Sequence, residues 1–354
     1  MKLDSTDNST QSSSPTRDEE RIRSIIEEMV QFTKARENRD LIKRLITQSV
    51  RLGEDGLDRL DLKILTSALY ELRDAFGVFE PYKGRRKLTI FGSARTKAQS
   101  RSYEMAKRLA HEMADIGWMT VTGGGPGIME AGMLGAGGEN SFGIGIRLPF
   151  EDEGAPWVQA HRVEMKYFFT RKLMLVKESD AFVALPGGFG TLDEIFEVLT
   201  LMQTGKAQLA PLVLLEPPSS NYYELLLGFV EEALLSGEFI SKPDLSLITL
   251  AKDQEKAKET ITRFYSNFHS MRFVKNQLVL RVQSEPSEAL IGALKERFPD
   301  LCKGEPDYKR IDPTPEEIKD QDAIDCYRIV FSFNRSSYGR LRQAVDLIND
   351  SSSS

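Results

Sequence analysis

Cysteine and histidine are scarce in this chain. Its 354 residues include two cysteines, Cys302 and Cys326, and three histidines, His111, His161 and His269. The cysteines lie far from any C-x-x-C pattern and the histidines are scattered. A disulfide framework, a zinc site and a catalytic thiol are therefore not expected, and reduced core or surface thiols are. A positive excess is missing too. There are 47 Lys and Arg against 53 Asp and Glu, a formal charge of −6, which argues against bulk nucleic-acid or membrane-surface binding and leaves room only for a local basic pocket. No apolar stretch is long enough to span a bilayer, and the polar N-terminus has no secretory apolar core, so a cytoplasmic location is expected. Two nucleotide signatures are absent as well. The pattern G-x-x-x-x-G-K-[ST] does not occur, and the glycine run at 123–127 lacks G-x-G-x-x-G spacing. Arg147 stands where an acidic residue closing the third strand would hold a ribose diol.

What is present is an ordinary globular composition, 40% hydrophobic and 28% charged, over a length that allows two or three domains. Residues 1–17 are Ser/Thr/Asp-rich without apolar periodicity and read as a disordered tail. Over residues 18–84 apolar positions recur at helical spacing, as in Leu62, Leu65, Leu69 and Leu72, giving a helical extension. From 85 to 269 the texture becomes strand–helix alternation. Strands are predicted at Leu88–Phe91, Met119–Val121, Phe142–Ile146, Ala181–Leu185, Pro211–Leu215 and Leu247–Leu250. Helices are predicted at Tyr103–Ile116, from Ile128, and at Val163–Lys177, then from Thr191, at Tyr222–Leu235 and at Asp253–Phe268. Repeated βα units imply an α/β fold, a doubly wound parallel sheet that binds ligands at the carboxyl ends of its strands near a switch in strand order. Residues 270–349 read as a small βαβα unit, with strands at Leu278–Val282 and Tyr327–Phe333.

Chemistry concentrates at three turns that follow predicted strands: Gly92-Ser93, Gly123–Gly127 and Pro186–Gly190. One glycine turn alone is often tight packing. Several converging at carboxyl ends of strands suggest a phosphate held by backbone N–H groups and helix dipoles. Thr191 and Glu194 fit the capping pattern S/T-x-x-E, so Glu194 is either a helix cap or a carboxylate beside an anion cradle. Glu130 poses the same choice after the other glycine loop. Arg171 and Lys172 interrupt an apolar helix, either as a solvated pair or as a phosphate fork and point charge.

The stretch Pro186-Gly187-Gly188-Phe189-Gly190-Thr191-Leu192-Asp193-Glu194 resembles the PGGxGTxxE signature of the LOG family, the cytokinin riboside 5′-monophosphate phosphoribohydrolases long mislabelled as lysine decarboxylases. Thr122 to Ala131 resembles the family's other glycine loop, and Arg171-Lys172 its Arg-Lys pair. The resemblance spans roughly residues 85–269, and both flanking segments depart from the minimal family. It implies a Rossmann-like catalytic domain that hydrolyses the N-glycosidic bond of AMP-like or N6-modified adenine monophosphates. The products are free base and ribose 5-phosphate. Arg171 and Glu194 match the family's catalytic pair. Gly124, Gly125, Gly188, Gly190 and Thr191 match its phosphate loops, with Gly187 and Lys172 adjoining them, and Ser93 and Glu130 match positions lining the nucleotide site. Arg171 binds phosphate, holds Glu194 or assists the leaving base; sequence does not choose. The resemblance implies no metal or organic cofactor, a small nucleotide as partner and a homodimer or higher homo-oligomer. The alternative class is a non-catalytic binder of a nucleotide or phosphorylated cofactor.

Overall fold

The computed structural model describes residues 17–34, 38–147 and 161–351. The tail expected over residues 1–17 lies, apart from Arg17, outside the described residues. By contact density the chain forms two units, Met1–Leu69 and Tyr70–Ser354. The first contains α1 (Arg17–Gln31), α2 (Arg39–Glu54) and the start of α3 (Arg59–Phe79). α1 and α2 pack on each other. Ile26 and Val30 of α1 are buried, whereas α2 buries none of its residues.

The second unit is built on βα repeats. In chain order these are β1 (Lys87–Phe91), α4 (Arg101–Asp115), β2 (Met119–Thr122), α5 (Ile128–Ala136) and β3 (Ser141–Ile146). There follow β4 (His161–Met165), α6 (Phe168–Lys177), β5 (Ala181–Ala184) and α7 (Phe189–Gln203). The run closes with β6 (Leu212–Leu215), α8 (Tyr222–Phe229), β7 (Ile248–Ala251) and α9 (Gln254–Phe264). The seven strands are all parallel, in the order β4-β3-β2-β1-β5-β6-β7. This is the doubly wound, Rossmann-like sheet expected from the alternation.

Strand residues alternate between two apolar layers, as the two-residue period requires. Leu88, Ile90, Ala181 and Val183 pack with Leu109, Ile128 and Ile261 of α4, α5 and α9. Phe91, Phe182 and Ala184 pack with Met174 and Leu175 of α6 and Ile195 and Val198 of α7. Consequently β1 connects through α4 on one face while its neighbour β5 connects through α7 on the other. The crevice between the two departing loops is the switch point.

Sequence periodicity misplaced several boundaries. The helix predicted from Val163 begins at Phe168, and His161–Met165 is an edge strand on β3. Val163 and Met165 are buried between exposed Arg162 and Glu164, a short two-residue period hidden inside an apolar run. The helix predicted to Phe268 ends at Phe264, and β8 (Phe268–Val274) forms a hairpin with β9 (Gln277–Val282) through Lys275, at φ +54°, and Asn276. The helix predicted over Tyr222–Leu235 is α-helical only to Phe229 and continues as a π-helix over Val230–Leu235.

The C-terminal portion holds the four elements of the expected βαβα unit, with further strands and a short helix added to them. After β9 come α10 (Glu288–Arg297), β10 (Lys309–Arg310), α11 (Pro315–Asp320), β11 (Tyr327–Phe331) and α12 (Tyr338–Asp350). The strands form an antiparallel sheet ordered β10-β11-β9-β8. Its core residues Leu278, Leu280 and Phe331, with Leu341 of α12, join the same apolar cluster as the α6–α7 face.

The segment carrying α11 is tied to this sheet by the buried carboxylate of Glu317. Glu317 accepts from Arg281 Nε at 2.7 Å and Arg328 Nε at 2.9 Å, and from the Thr314 backbone at 2.9 Å. Burial alone would raise its pKa, but these donors win and hold it at about 2. The folded value lies below the ordinary one, so this contribution is complete above about pH 4.5 and fades as pH falls toward 2. Glu317→Ala leaves buried Arg328 without a carboxylate and Arg281 with Asp322 alone, and is expected to cost about 3–5 kcal/mol. A urea-unfolding midpoint equal to that of the wild type would contradict this reading.

Candidate functional site

At the switch point lies an open cleft of ≈ 790 Å³. One wall is the loop Gly92–Arg95 after β1, the other Gly187–Leu192 at the start of α7, with Met129, Arg171 and Glu194 in the floor.

The helix wall presents free donors. α4 and α9 are capped by the side chains of Ser100 and Asp253. α7 instead begins at Phe189 behind Gly188 and has no side-chain cap. Thr191 and Glu194 are inside the first turns, so the capping-box alternative does not hold. The first N–H groups of α7 open toward the cleft, where an anion would meet both the donors and the helix dipole. The loop behind them is braced. The Tyr222 hydroxyl donates to the Gly187 carbonyl at 2.6 Å. Tyr222 is delivered by a turn that fully buried Glu216 fixes, accepting from Ser220 Oγ at 2.7 Å, Tyr223 N at 3.0 Å and Lys252 Nζ at 2.8 Å.

Arg171 is the centre of the floor. It is 8% exposed. Its Nε donates to the Ile144 carbonyl at 2.9 Å, its Nη2 faces the Gly123 carbonyl at 3.5 Å, and its Nη1 lies 3.6 Å from Glu194 Oε1. Gly123 has to be glycine here, since a Cβ would sit 2.0 Å from Arg171 Nη2. Gly127, at φ +68°, lets Ile128 N donate to the Ser93 carbonyl at 3.1 Å, which locks the two loops together.

The Glu194 carboxyl is pushed up to about 7. Burial is the main cause, with Asp193 and Glu197 adding to it, while Arg171 and Lys172 pull the other way. The arginine loses this contest because a separation of 3.6 Å is no hydrogen bond. Burial also lowers the Arg171 pKa against the pull of Glu194, but an arginine starts so high that it stays charged. The site thus holds a carboxyl poised to exchange a proton near neutrality next to a permanent cation.

Of the residues singled out in the sequence, Ser93, Gly187, Gly188, Gly190, Thr191, Arg171 and Glu194 line this cleft. The other four do not. Gly124 lies against the backbone of Gly143 and Gly145, and Gly125 against Met129. Glu130 hydrogen-bonds Tyr103, whose hydroxyl burial and that carboxylate both push up. Lys172 points to a separate cavity of ≈ 460 Å³ and pairs with Asp193 at 2.7 Å and Glu197 at 3.2 Å. The Gly123–Gly127 loop therefore serves the site by seating Arg171. Sequence reasoning passed over Arg95, Phe189 and Tyr222. Arg95 had a signal, being a basic residue two positions after Ser93 in a turn ending a strand. Tyr222 had none, because its partner is 35 residues away.

The chain is similar to several known proteins. A family model described as possible lysine decarboxylase matches residues 126–261. A probable cytokinin riboside 5′-monophosphate phosphoribohydrolase of Oryza sativa subsp. japonica is 34% identical over 175 residues, 47% of this chain and 67% of the relative. A second rice protein of the same description is 31% identical over 224 residues, 60% of this chain and 84% of the relative. Among solved structures, the molybdenum cofactor carrier protein from Chlamydomonas reinhardtii is similar at 24% identity and a TM-score of 0.37, over 51% of this chain and 97% of that one. On the likeness to these rice proteins the chain belongs to the LOG family.

Proposed function

We propose that the cleft hydrolyses the N-glycosidic bond of a nucleoside 5′-monophosphate, releasing free base and ribose 5-phosphate. The observation that carries this reading is Glu194: a half-buried carboxyl near neutrality, paired loosely with Arg171, in the same cleft as the uncapped start of α7. The curated relatives carry the same activity in their names.

The chemistry follows from the charges. As the C1′–N bond breaks, its electron pair leaves with the base and positive charge grows on the ribose. A carboxylate facing that carbon stabilises the charge and orients a water. The water oxygen bonds to C1′, and its proton passes to the departing base by way of Glu194 or solvent. The 5′-phosphate, held at the start of α7, supplies binding energy remote from the reacting carbon and fixes the sugar over Glu194. Arg171 keeps Glu194 in place and limits how far burial raises its pKa. Carboxylates divide their roles by environment in the same way in glycoside hydrolysis.

Two expectations test this. Incubation with AMP or with an N6-isopentenyl-adenosine monophosphate should release free base and ribose 5-phosphate, followed by chromatography. Binding of either nucleotide with no base released would leave a carrier or sensor instead. Glu194→Gln should lower kcat by about 10²–10⁴-fold with nucleotide binding retained. The ionised carboxylate is the working form, so wild-type kcat should fall as pH drops below about 7 and level off above it. A kcat that stays flat from pH 5.5 to 8.5 would remove Glu194 from the chemistry.

A further inference from the structure

Among the described residues, three charged side chains line the cleft: Arg95, Arg171 and Glu194. Two of them are already engaged. Arg171 is buried and its donors face the Ile144 and Gly123 carbonyls and Glu194. It cannot turn to a ligand at the mouth without stranding that carboxyl. Lys172, the other cation singled out in the sequence, is held by Asp193 and Glu197 and faces a different cavity.

Arg95 is in the opposite condition. Its side chain is exposed at the cleft wall, and among the described residues it has no hydrogen-bond or ion-pair partner. The backbone that carries it is nevertheless fixed. Arg95 N donates to Ser93 Oγ at 3.1 Å, Thr96 N to the Ser93 carbonyl at 3.3 Å, and Ile128 N to the same carbonyl at 3.1 Å. A guanidinium on a rigid loop faces, across the crevice, a helix start whose N–H groups have no cap.

We infer that Arg95 is the residue by which the site recognises a phosphate monoester and separates nucleotides from nucleosides. This rests on the hydrolase reading for the nucleotide and on the cleft alone for the phosphate. The N–H groups of α7 supply donors and partial positive charge, but a phosphate monoester carries close to two negative charges at neutral pH. Arg95 provides the full counter-charge from the facing wall, and its planar fork suits two phosphate oxygens at once.

The test compares wild type, Arg95→Ala and Arg95→Lys. Binding of ribose 5-phosphate and of ribose is measured by calorimetry, and kcat/KM for AMP and for adenosine by base release. Arg95→Ala should weaken ribose 5-phosphate binding about 10- to 100-fold, the usual worth of a charge-assisted contact. It should lower the AMP-to-adenosine preference by a similar factor. Arg95→Lys should recover part of the loss, because charge returns without the fork. Unchanged ribose 5-phosphate affinity in Arg95→Ala, or an equal fall for AMP and adenosine, would overturn the assignment. If the wild type binds ribose 5-phosphate but cleaves neither substrate, the hydrolase reading fails, while Arg95 is still judged by the calorimetry. If the wild type binds no ribose 5-phosphate, both fail.

Discussion

The site depends on one buried guanidinium. Arg171 comes from α6, on one face of the sheet, and reaches the carboxyl ends of the strands, where it meets the Ile144 carbonyl of β3, the Gly123 carbonyl following β2 and the Glu194 carboxyl of α7. Four segments of chain are fixed by one planar group that cannot lose its proton. The arrangement requires a glycine at 123 for clearance and neighbouring strands in parallel register. Remove the cation, and a carboxyl already raised to about 7 by burial would rise further. The glycine loop after β2 looks like a phosphate cradle in sequence, yet its structural work is to give this arginine its seat.

The switch in strand order explains why the cleft exists at all. β1 and β5 are paired from Leu88–Ala181 to Phe91–Ala184, yet their connections depart to opposite faces, toward α4 and α7. Two loops that diverge from adjacent strand ends leave a crevice that neither fills. Here the crevice is lined on one side by a braced loop carrying a free arginine and on the other by an uncapped helix. The brace behind that helix, from Glu216 through Tyr222 to the Gly187 carbonyl, keeps the donors aimed before any ligand arrives. Such preorganisation of donors is where a polar site gains over water.

How far the sequence discloses this can be judged residue by residue. The parallel sheet was legible because buried strands such as Ala181–Leu185 are continuous apolar runs between glycine turns. Arg171 and Glu194 were legible as a family pattern, although the sequence left Glu194 between a cap and a site carboxylate. That choice needed the location of the first turn of α7, which starts two residues earlier than Thr191. Strand β4 and the β8–β9 hairpin were hidden because Val163, Met165 and Phe268 satisfy a helical period as well as a strand's, and tertiary pairing decided between them. The role of Lys172 was illegible for another reason. Adjacent residues on a helix point about 100° apart, so Arg171 and Lys172 enter different cavities despite forming one sequence motif.

Glu317 and Glu194 together show what separates a structural charge from a reactive one. Glu317 and Glu194 each lie against arginine in a water-poor setting, and burial pushes both upward. Glu317 accepts hydrogen bonds of 2.7, 2.9 and 2.9 Å from two guanidiniums and a backbone N–H, and its pKa falls to about 2. Glu194 has its arginine at 3.6 Å, and its pKa rises to about 7. The residue types are the same; the difference is whether the guanidinium's donors reach the carboxylate or are spent on carbonyls. A carboxylate with satisfied oxygens is pinned in one protonation state and serves as a rivet. A carboxyl left underbonded is costly to bury, and that cost is retained where its oxygens can turn to a substrate.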